Sequence, residues 1–244
     1  MTFFGTISEI WRYPVSSVGG ERLDAAELDA GGLRGDRTWG VVDLRDGSVA
    51  GPEGRRHWRS LPNLHARLAG DWPEISSGDT WRPAGEPEAN ALLSDFLGFP
   101  AALRPHTAFE HTEEGHVAPR YQRDDLHILT TMAMDTLAGL LPDDVEIDAR
   151  RFRPNIVIEA PDAPAGFVAN HLIGRTLAIG DVRILIKEPC KRCAFTSIAQ
   201  GNLSFAPAVL QTIASKGTGG FGELCTVTRP GQVRVGDEIS LTDA

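Results

Sequence analysis

The chain has 244 residues, a formal net charge of −9 and 41% hydrophobic residues. This apolar fraction allows a packed core, yet no stretch approaches the roughly 20 consecutive apolar residues that cross a bilayer. The acidic balance argues against general nucleic-acid binding, because phosphate contacts need a basic field. We therefore expect a protein that binds neither nucleic acid nor a membrane.

The expected location is the cytoplasm. Residues 1–10 lack the basic segment and the following apolar segment of an export signal. The three cysteines, an odd number, argue against a disulfide framework and for a reducing compartment.

Short strands separated by glycine-centred turns dominate the pattern, with apolar side chains alternating along the better-defined strands. Three hairpins are predicted, each around a turn dipeptide: residues 38–50 around Asp46-Gly47, residues 177–186 around Gly180-Asp181, and residues 225–241 around Pro230-Gly231. Residues 105–123 are polar, rich in histidine and without periodicity, which predicts a long loop.

Helices are fewer, and each predicted helix has an end signal in the sequence. They are residues 87–97 closed by Gly98, a helix capped by Thr130 or Thr131 that reaches Leu141, and residues 207–214 beginning at Pro207. The predicted fold class is mainly β with helices (α+β). Glycine and proline cluster in residues 78–87, so we expect two domains, residues 1–85 and 86–244.

Two cysteines stand at the end of a predicted strand, in the segment Cys190-Lys-Arg-Cys193. The flanking cations should lower a thiol pKa, because positive charge favours the thiolate. Three interpretations are open. The pair could be buried structural residues, or half of a zinc site that His111 and His116 complete. The third interpretation is a functional thiolate, as a ligand for a soft metal or as a sulfur carrier.

Two further motifs place arginine just before a strand. Asp36 and Arg37 precede one strand, and Arg153 and Asn155 precede another. Pro154 follows Arg153 and predicts an extended backbone at the arginine. Arginine suits bidentate recognition of phosphate, although an ordinary surface ion pair is the alternative for each motif taken alone.

The order and spacing of these segments resemble the MOSC superfamily, which is named after the C-terminal domain of molybdenum cofactor sulfurases. The resemblance covers nearly the whole chain and rests on these segments: Tyr13-Pro-Val-Ser-Ser17, Leu33-Arg-Gly-Asp-Arg-Thr-Trp39, Phe152-Arg-Pro-Asn155, Cys190-Lys-Arg-Cys193 and Val235-Gly-Asp237. It implies a MOSC-type β-barrel preceded by an N-terminal β-barrel-like domain, and a molybdenum–molybdopterin cofactor (Moco).

The resemblance also implies roles for particular residues. In the amidoxime-reducing members of the family one cysteine coordinates the metal, and this position falls on Cys193, which would be the metal ligand and the catalytic residue. Thr130 and Thr131 fall beside the same pocket. The positions that hold the pterin and its phosphate fall on Ser17, Arg37, Arg153, Asn155 and Arg192.

One departure from the family pattern concerns a basic residue. The family has lysine where this chain has Ser16. One phosphate contact is therefore missing here or supplied by another residue, such as Arg12 or Arg34.

These features predict an oxidoreductase that uses Moco to reduce N-oxygenated (N-hydroxylated) small-molecule substrates. Separate electron-transfer proteins would be its partners, because three cysteines cannot hold an all-cysteine iron–sulfur cluster. The segment Gly217-Thr-Gly-Gly-Phe-Gly222 has the letters of a dinucleotide-binding loop, but it follows a helix and leads into a strand, the reverse of that context.

Two alternatives stay open. One is a sulfur carrier or transferase, or a Moco carrier, that uses a Cys193 persulfide or thiolate. The other is a MOSC-fold protein that has been recruited to different chemistry or to binding alone.

Overall fold

The computed structural model of the chain describes residues 2–108, 113–120, 126–161, 163, 165–217 and 219–242. Within these ranges the strands are β1 (Thr2–Arg12), β2 (Glu21–Leu23), β3 (Ala25–Asp29), β4 (Gly32–Leu33), β5 (Trp39–Asp43), β6 (His65–Ala69), β7 (Trp72–Ser76), β8 (Arg82–Pro83), β9 (Ala101–Pro105), β10 (Leu126–Thr130), β11 (Ile156–Glu159), β12 (Thr176–Ile179), β13 (Val182–Lys191), β14 (Gly220–Arg229), β15 (Gly231–Arg234) and β16 (Glu238–Thr242). The α-helices are α1 (Pro87–Leu97), α2 (Thr131–Ala138) and α3 (Pro207–Lys216).

Seven strands form a closed barrel. Their order is β11-β10-β14-β13-β12-β16-β1, and the pairing of β1 with β11 closes the ring. Closure removes the free strand edges that an open sheet would expose. Its interior is filled by branched aliphatic side chains, including Ile7, Ile156, Ile184 and Ile239.

A second core lies between β5, β9, the three-stranded sheet β6-β7-β8 and α1. Trp58 is fully buried at its centre, and α1 contributes Ala89 and Leu93. Gly98 ends α1 in the left-handed conformation, with φ of 77°, and its N–H donates to the carbonyl of Ser94 at 2.8 Å. The predicted helix of residues 87–97 is therefore confirmed, including its end. The predicted domain boundary after residue 85 stays a prediction.

A third, smaller core joins α2 and α3 to one end of the barrel. Phe221 lies at its centre, with ring centroids 4.3 Å from Phe152 and 5.7 Å from Phe167. Val209 and Ile213 of α3 pack on this aromatic group. Phe152 belongs to this aromatic group, which therefore supports the segment Phe152-Arg-Pro-Asn155 at the point where β11 begins.

The predicted fold class, mainly β with helices around a barrel, is confirmed. The hairpin around Gly180-Asp181 is confirmed as well: Ile179 pairs with Val182, and along β13 Val182, Ile184 and Ile186 are buried. The helix that begins at Pro207 is also present.

Three details differ from expectation. The predicted last hairpin is wrong, because both edges of β14 are occupied by β13 and β10, so β15 pairs with β3 instead. The turn around Asp46-Gly47 is longer than two residues: Asp43 N–H donates to the Ser48 carbonyl at 2.9 Å. The second helix stops at Ala138, short of the expected Leu141.

The expected loop of residues 105–123 is only partly described. His106 forms a bridge with Val117, while residues 109–112 and 121–125 lie outside the described ranges. None of the helices in these ranges has the length and the apolar character that a bilayer crossing requires.

Gly222 should be far less tolerant of a side chain than Gly219. Both have positive φ, 73° and 79°, so alanine costs about 1–2 kcal/mol at either position. At Gly222 a Cβ would also lie 2.5 Å from the Ile128 carbonyl oxygen and 2.6 Å from His127 Nε2, whereas the space at Gly219 is open. We expect Gly222→Ala to cost roughly 1–3 kcal/mol more than Gly219→Ala in urea unfolding. Equal losses would contradict the packing described for β14.

Candidate functional site

The segment that follows β1 is fixed by hydrogen bonds from elsewhere in the chain. The N–H of Tyr13 donates to Asp36 Oδ1 at 2.7 Å, and the N–H of Arg37 donates to the Tyr13 carbonyl at 2.7 Å. Arg153 Nη1 donates to the carbonyl of Val18 at 2.6 Å. The Asp36-Arg37 motif and the Arg153 motif, distant in sequence, therefore meet at the two ends of one short segment.

Backbone strain is concentrated at this meeting point. Among the described residues, the non-glycine residues with positive φ are Ser17 at 70°, Arg37 at 48° and Arg153 at 55°. A bulky side chain in the left-handed region is unfavourable and persists only where the surroundings impose it. Such residues tend to occur at functional sites, and all three are predicted cofactor-binding residues.

The backbone at Arg153 differs from the sequence prediction. The following proline predicts an extended conformation, and this prediction is wrong, because φ is positive. Arg153 follows the short 3-10 helix Ala149–Arg151, and its N–H donates to the Ala149 carbonyl at 3.0 Å. It therefore ends that turn as a left-handed cap, a position after which proline is common.

Asn155 connects the motifs from its buried position before β11. Its Oδ1 accepts from the N–H of His127 at 3.1 Å and from Arg37 Nη1 at 3.5 Å, and its Nδ2 donates to the Trp11 carbonyl at 3.4 Å. This side chain therefore links β1, β10 and the Asp36-Arg37 motif.

Three guanidinium groups gather around this network with few negative partners. Arg37 pairs with Asp36 and donates from Nη2 to the Arg153 carbonyl at 2.9 Å, and Arg192 donates from Nη2 to the Phe152 carbonyl at 2.6 Å. Arg153 is only 9% exposed, and its burial together with the charges of Arg37 and Arg192 lowers its pKa to about 9. We refer to Arg37, Arg153 and Arg192 as the arginine cluster.

Two buried nitrogen atoms of this cluster, Arg153 Nη2 and Arg192 Nε, have no hydrogen-bond partner in the described part of the chain. A buried donor without a partner is destabilising, and a buried charge even more so. Both atoms would be satisfied by the oxygen atoms of a bound anion. The cluster therefore fits an anionic ligand, as the sequence motifs predict.

The two cysteines of the C-x-x-C segment differ in environment. Cys190 is half-buried at the end of β13, and Arg192 Nη1 donates to its Sγ at 2.9 Å. Burial raises the pKa of Cys190, but hydrogen bonds and positive charge from His127 and Arg192 outweigh burial and lower it to about 6. Cys193 is exposed, at the N-terminus of the 3-10 helix Ala194–Ser197. The lowered pKa that the sequence predicts is thus found at Cys190.

Two of the three interpretations of the cysteine pair can be compared with these facts. Cys190 and Cys193 are not buried core residues, whereas the third cysteine, Cys225, is. No group of three or more metal-ligating side chains of the zinc type occurs among the residues described, and His111 lies outside them. A functional thiolate is the interpretation that agrees with the geometry.

The structure also shows the partners of three other residues that the sequence singles out. Thr130 Oγ1 accepts from the N–H of Ala133 at 3.2 Å, so Thr130 caps α2 as expected, and the role of Thr130 and Thr131 at the pocket stays a prediction. Arg12 and Arg34, the suggested substitutes for the family lysine, each form ion pairs with glutamate, at 2.8 Å and 2.6 Å.

At the lysine position itself, Ser16 Oγ lies 3.1 Å from His106 Nε2. The structure therefore brings an ionisable ring to the position where the family has a cation. No sequence signal linked these two residues, because they are 90 positions apart.

The sequence analysis placed Tyr13 in a family segment without a role, and it missed His127 and Glu223 as neighbours of the predicted site. His127 and Glu223 face Cys190 through the register of β10, β14 and β13: Glu223 pairs with both Ile128 and Pro189. His127 is buried, with Nε2 3.2 Å from the Phe221 carbonyl. Burial raises the pKa of Glu223, whose Oε1 accepts from the N–H of Ala169 at 2.6 Å.

Comparison with known families agrees with this geometry. Residues 4–66 match the MOSC N-terminal beta barrel domain, and residues 113–240 match the MOSC domain. The chain belongs to the MOSC family. This family is associated with binding of the molybdenum cofactor.

Two curated relatives are similar over most of their length. Mitochondrial amidoxime-reducing component 1 of Homo sapiens and of Mus musculus are each 24% identical to this MOSC chain. The matches cover 97% of the chain and 83% and 82% of the two relatives.

Solved structures show lower similarity. The YuaD protein from Bacillus subtilis is 13% identical over 98% of this MOSC chain and 96% of its own, with a TM-score of 0.48. YiiM from Escherichia coli is 18% identical over 49% of this chain and 54% of its own, with a TM-score of 0.36.

The environment of Cys190 predicts its reactivity. In a Cys193→Ser variant, the rate of Cys190 alkylation by iodoacetamide should reach half its maximum near pH 6, because the thiolate is the nucleophile. Arg192→Gln should move this midpoint upward, since it removes one of the cations. Peptide mass spectrometry assigns the modified cysteine, and a midpoint near the free-cysteine value of about 8.5 would contradict the geometry.

The same shift affects stability in a defined direction. Since the folded pKa lies below the ordinary value of 9.0, the Cys190 thiolate stabilises the fold above about pH 9. This contribution is lost as the pH falls through the folded pKa, about 6.

Proposed function

We propose that this MOSC protein holds Moco at the arginine cluster and reduces N-oxygenated small-molecule substrates. The observation that carries the proposal is the arginine cluster with its two unpartnered buried nitrogen atoms. A site in which three arginines gather around a single paired carboxylate of the described residues, Asp36, is suited to a phosphate-bearing ligand. The substrate class follows from the amidoxime-reducing relatives, which align over 97% of the chain.

The residues of this chain divide into those that would bind the cofactor and one that would face its metal. Arg153 and Arg192 would donate to the phosphate, and Arg37, which contacts Asn155 and the Arg153 carbonyl, would add positive charge. Ser17, in the segment that follows β1, has a strained backbone with positive φ. Cys193 presents an exposed thiol, and thiolates are ligands for soft metal centres. When bound, Moco supplies the oxidation and reduction chemistry.

The protein would contribute fixed positive charge in a poorly hydrated setting. Arg153 is nearly excluded from water, so its interaction with an anion is screened much less than at the surface. The carbonyls of Val18 and Phe152 hold two of the guanidinium groups in place before any ligand arrives. Because these side chains are already ordered, binding loses less conformational entropy.

Reduction also needs electrons from elsewhere. We propose that separate electron-transfer proteins supply them, together with a small-molecule substrate at the exposed side of Cys193. We also infer a cytoplasmic location, which the three free cysteines support.

A second candidate function is sulfur or cofactor transfer. The observation that favours it is Cys190, a thiolate held by Arg192 and His127 that the reductase proposal does not require. Its thiolate would attack the outer sulfur of a donor protein's persulfide and release the donor's thiolate, and the persulfide formed would then pass its outer sulfur to an acceptor thiolate.

Cofactor retention tests the arginine cluster. Arg153→Met should lower affinity for Moco about 10- to 150-fold, because a hydrogen bond to a charged group is worth about 1.5–3 kcal/mol. Arg183→Met is the matched control, since Arg183, in β13, donates to the carbonyls of Gly180 and Val182 and is not part of the arginine cluster. Molybdenum per chain in the purified proteins gives the result. Equal molybdenum contents in both variants would place the phosphate elsewhere.

Turnover separates the reductase from the carrier. The purified protein should reduce an N-hydroxylated substrate with reduced viologen as the electron source, and Cys193→Ser should abolish this turnover while leaving the melting temperature unchanged. Cys190→Ser should retain more activity. Inactivity with every N-oxygenated compound tried, together with a persulfide found on Cys190 or Cys193 by mass spectrometry, would favour the carrier.

A further inference from the structure

All the lysines of the chain lie in one small part of the molecule. The chain has 24 lysine and arginine residues together, and only Lys187, Lys191 and Lys216 are lysine. The first two are on β13, and the third ends α3. All three residues are exposed. We refer to them as the lysine patch, and the proposed binding of Moco does not involve them.

Strand pairing brings two parts of the lysine patch to the same end of β13. Lys191 pairs with Gly220 of β14, and the N–H of the next residue, Arg192, donates to the Gly219 carbonyl at 3.0 Å. Lys216 ends the helix that leads into this junction. Two lysines that are 25 positions apart in the sequence therefore meet beside the C-x-x-C segment.

The sign of the charge in this region is opposite to that of the whole molecule. The chain has a net charge of −9, whereas Lys187, Lys191 and Arg192 follow one another closely at the end of β13. The carboxylate among them in the sequence is Glu188. A local field of one sign attracts and orients a partner of opposite charge, even where the rest of the surface repels that partner.

Lysine rather than arginine suits a partner that binds briefly. Arginine forms rigid, bidentate contacts with carboxylates, whereas lysine is a hydrated point charge on a flexible stem. Exposed ion pairs of this kind are weak one by one and are screened by salt. Electron-transfer complexes have small, weak interfaces. The lysine patch therefore has the chemistry of a surface for transient contact with a redox protein.

We propose that the lysine patch is the docking surface for an acidic electron-transfer protein that delivers electrons to the centre at Cys193. Carboxylates around the redox centre of the partner would contact the lysines. Electron transfer needs the two centres close together, and the exposed Cys193 follows Lys191 by two residues. The inference rests on the proposed function, because it identifies the surface that would bind the electron donor.

The electron count explains why such contact must be brief. Reduction of an N-hydroxylated substrate takes up two electrons and two protons, breaks the N–O bond and releases water. A donor protein that carries one electron must therefore dock and leave twice in each turnover. Fast association under electrostatic attraction and fast dissociation both favour a surface of exposed lysines.

Charge reversal at Lys191 tests the docking surface in the Moco-loaded protein. The donor is a plant-type ferredoxin, an acidic protein with a two-iron cluster, kept reduced by NADPH and its reductase. At an ionic strength of about 0.01 M, Lys191→Glu should raise the KM for ferredoxin about three- to tenfold, because repulsion replaces attraction. The difference should shrink at about 0.15 M, since the Debye length falls from about 30 Å to about 8 Å. Turnover with reduced methyl viologen, a small donor, should not fall.

Arg234→Glu is the matched control, because it changes the net charge by the same amount. Arg234 is exposed on β15, where it donates to Gln232 Oε1 at 2.6 Å. β15 begins beside Val182, at the opposite end of β13 from Lys191. The KM for ferredoxin should therefore stay within about twofold of its original value. Equal increases in KM in the two variants, or none in Lys191→Glu, would overturn the inference.

A second variant shows whether the effect belongs to the surface or to the C-x-x-C segment. Lys216→Glu lies on a different element and should raise the KM for ferredoxin in the same direction as Lys191→Glu. A lower rate with viologen in both variants, or a changed KM for the N-hydroxylated substrate, would assign the lysines to the substrate site and overturn the inference. Anionic phosphatidylserine vesicles that bind the protein through Lys191, with the KM for ferredoxin unchanged, would assign the patch to a membrane surface instead.

Two outcomes separate this inference from the proposed function. Turnover with viologen but none with ferredoxin would overturn the docking surface and leave the reductase proposal standing. Absence of turnover with both donors would sink the reductase proposal. Calorimetry with oxidised ferredoxin would then still decide the docking surface: weaker binding to Lys191→Glu than to Arg234→Glu supports it, and equal binding overturns it.

Discussion

The structure around the candidate site depends on how three arginines are held together with few negative charges nearby. Burial of charge and Coulomb repulsion both disfavour such an arrangement: burial, and after it the charges of Arg37 and Arg192, lower the pKa of Arg153 to about 9. Uncharged groups stabilise the arrangement: a backbone carbonyl accepts from each guanidinium, and the Tyr13 ring lies within cation–π distance of both Arg37 and Arg153. Among the described residues, Asp36 supplies the carboxylate in direct contact with the cluster. The strained backbone at Ser17, Arg37 and Arg153 follows from bringing these groups together.

Much of the local structure could be predicted from the sequence, because it is determined by near neighbours. The helix of residues 87–97 has an apolar face and a glycine end, and the hairpin around Gly180-Asp181 has a two-residue turn. The strand order of the barrel could not be predicted this way. The sequence predicts that β14 pairs with the strand that follows it, but β10 and β13 occupy both edges of β14. The pairing with β10 joins residues far apart in the sequence, and local patterns do not predict it.

The candidate site shows the same division. The motifs around Arg37, Arg153 and Cys190 stand out in the sequence, and the structure brings their side chains into one network. Periodicity and spacing could not show which thiol has cations beside it. Cys190 owes its low pKa to His127, which reaches it only because β10, β14 and β13 are neighbours in the barrel. The positive φ of Arg153 could not be predicted from the sequence either. The preceding 3-10 turn overrides the extended conformation that the following proline favours.

The closure of the barrel by its first strand has a consequence for the order in which the molecule is made. During synthesis β1 leaves the ribosome long before its partners, which include Ile156 and Leu241. The core around Trp58 uses residues 15–103 and can pack much earlier. During this interval β2 can pair only with the last three residues of β1, Ile10–Arg12, and the rest of β1 has open edges, the condition in which strands pair with the wrong chain. The growing chain is therefore most exposed to aggregation before β16 emerges, and a chaperone that covers extended apolar segments would act on β1.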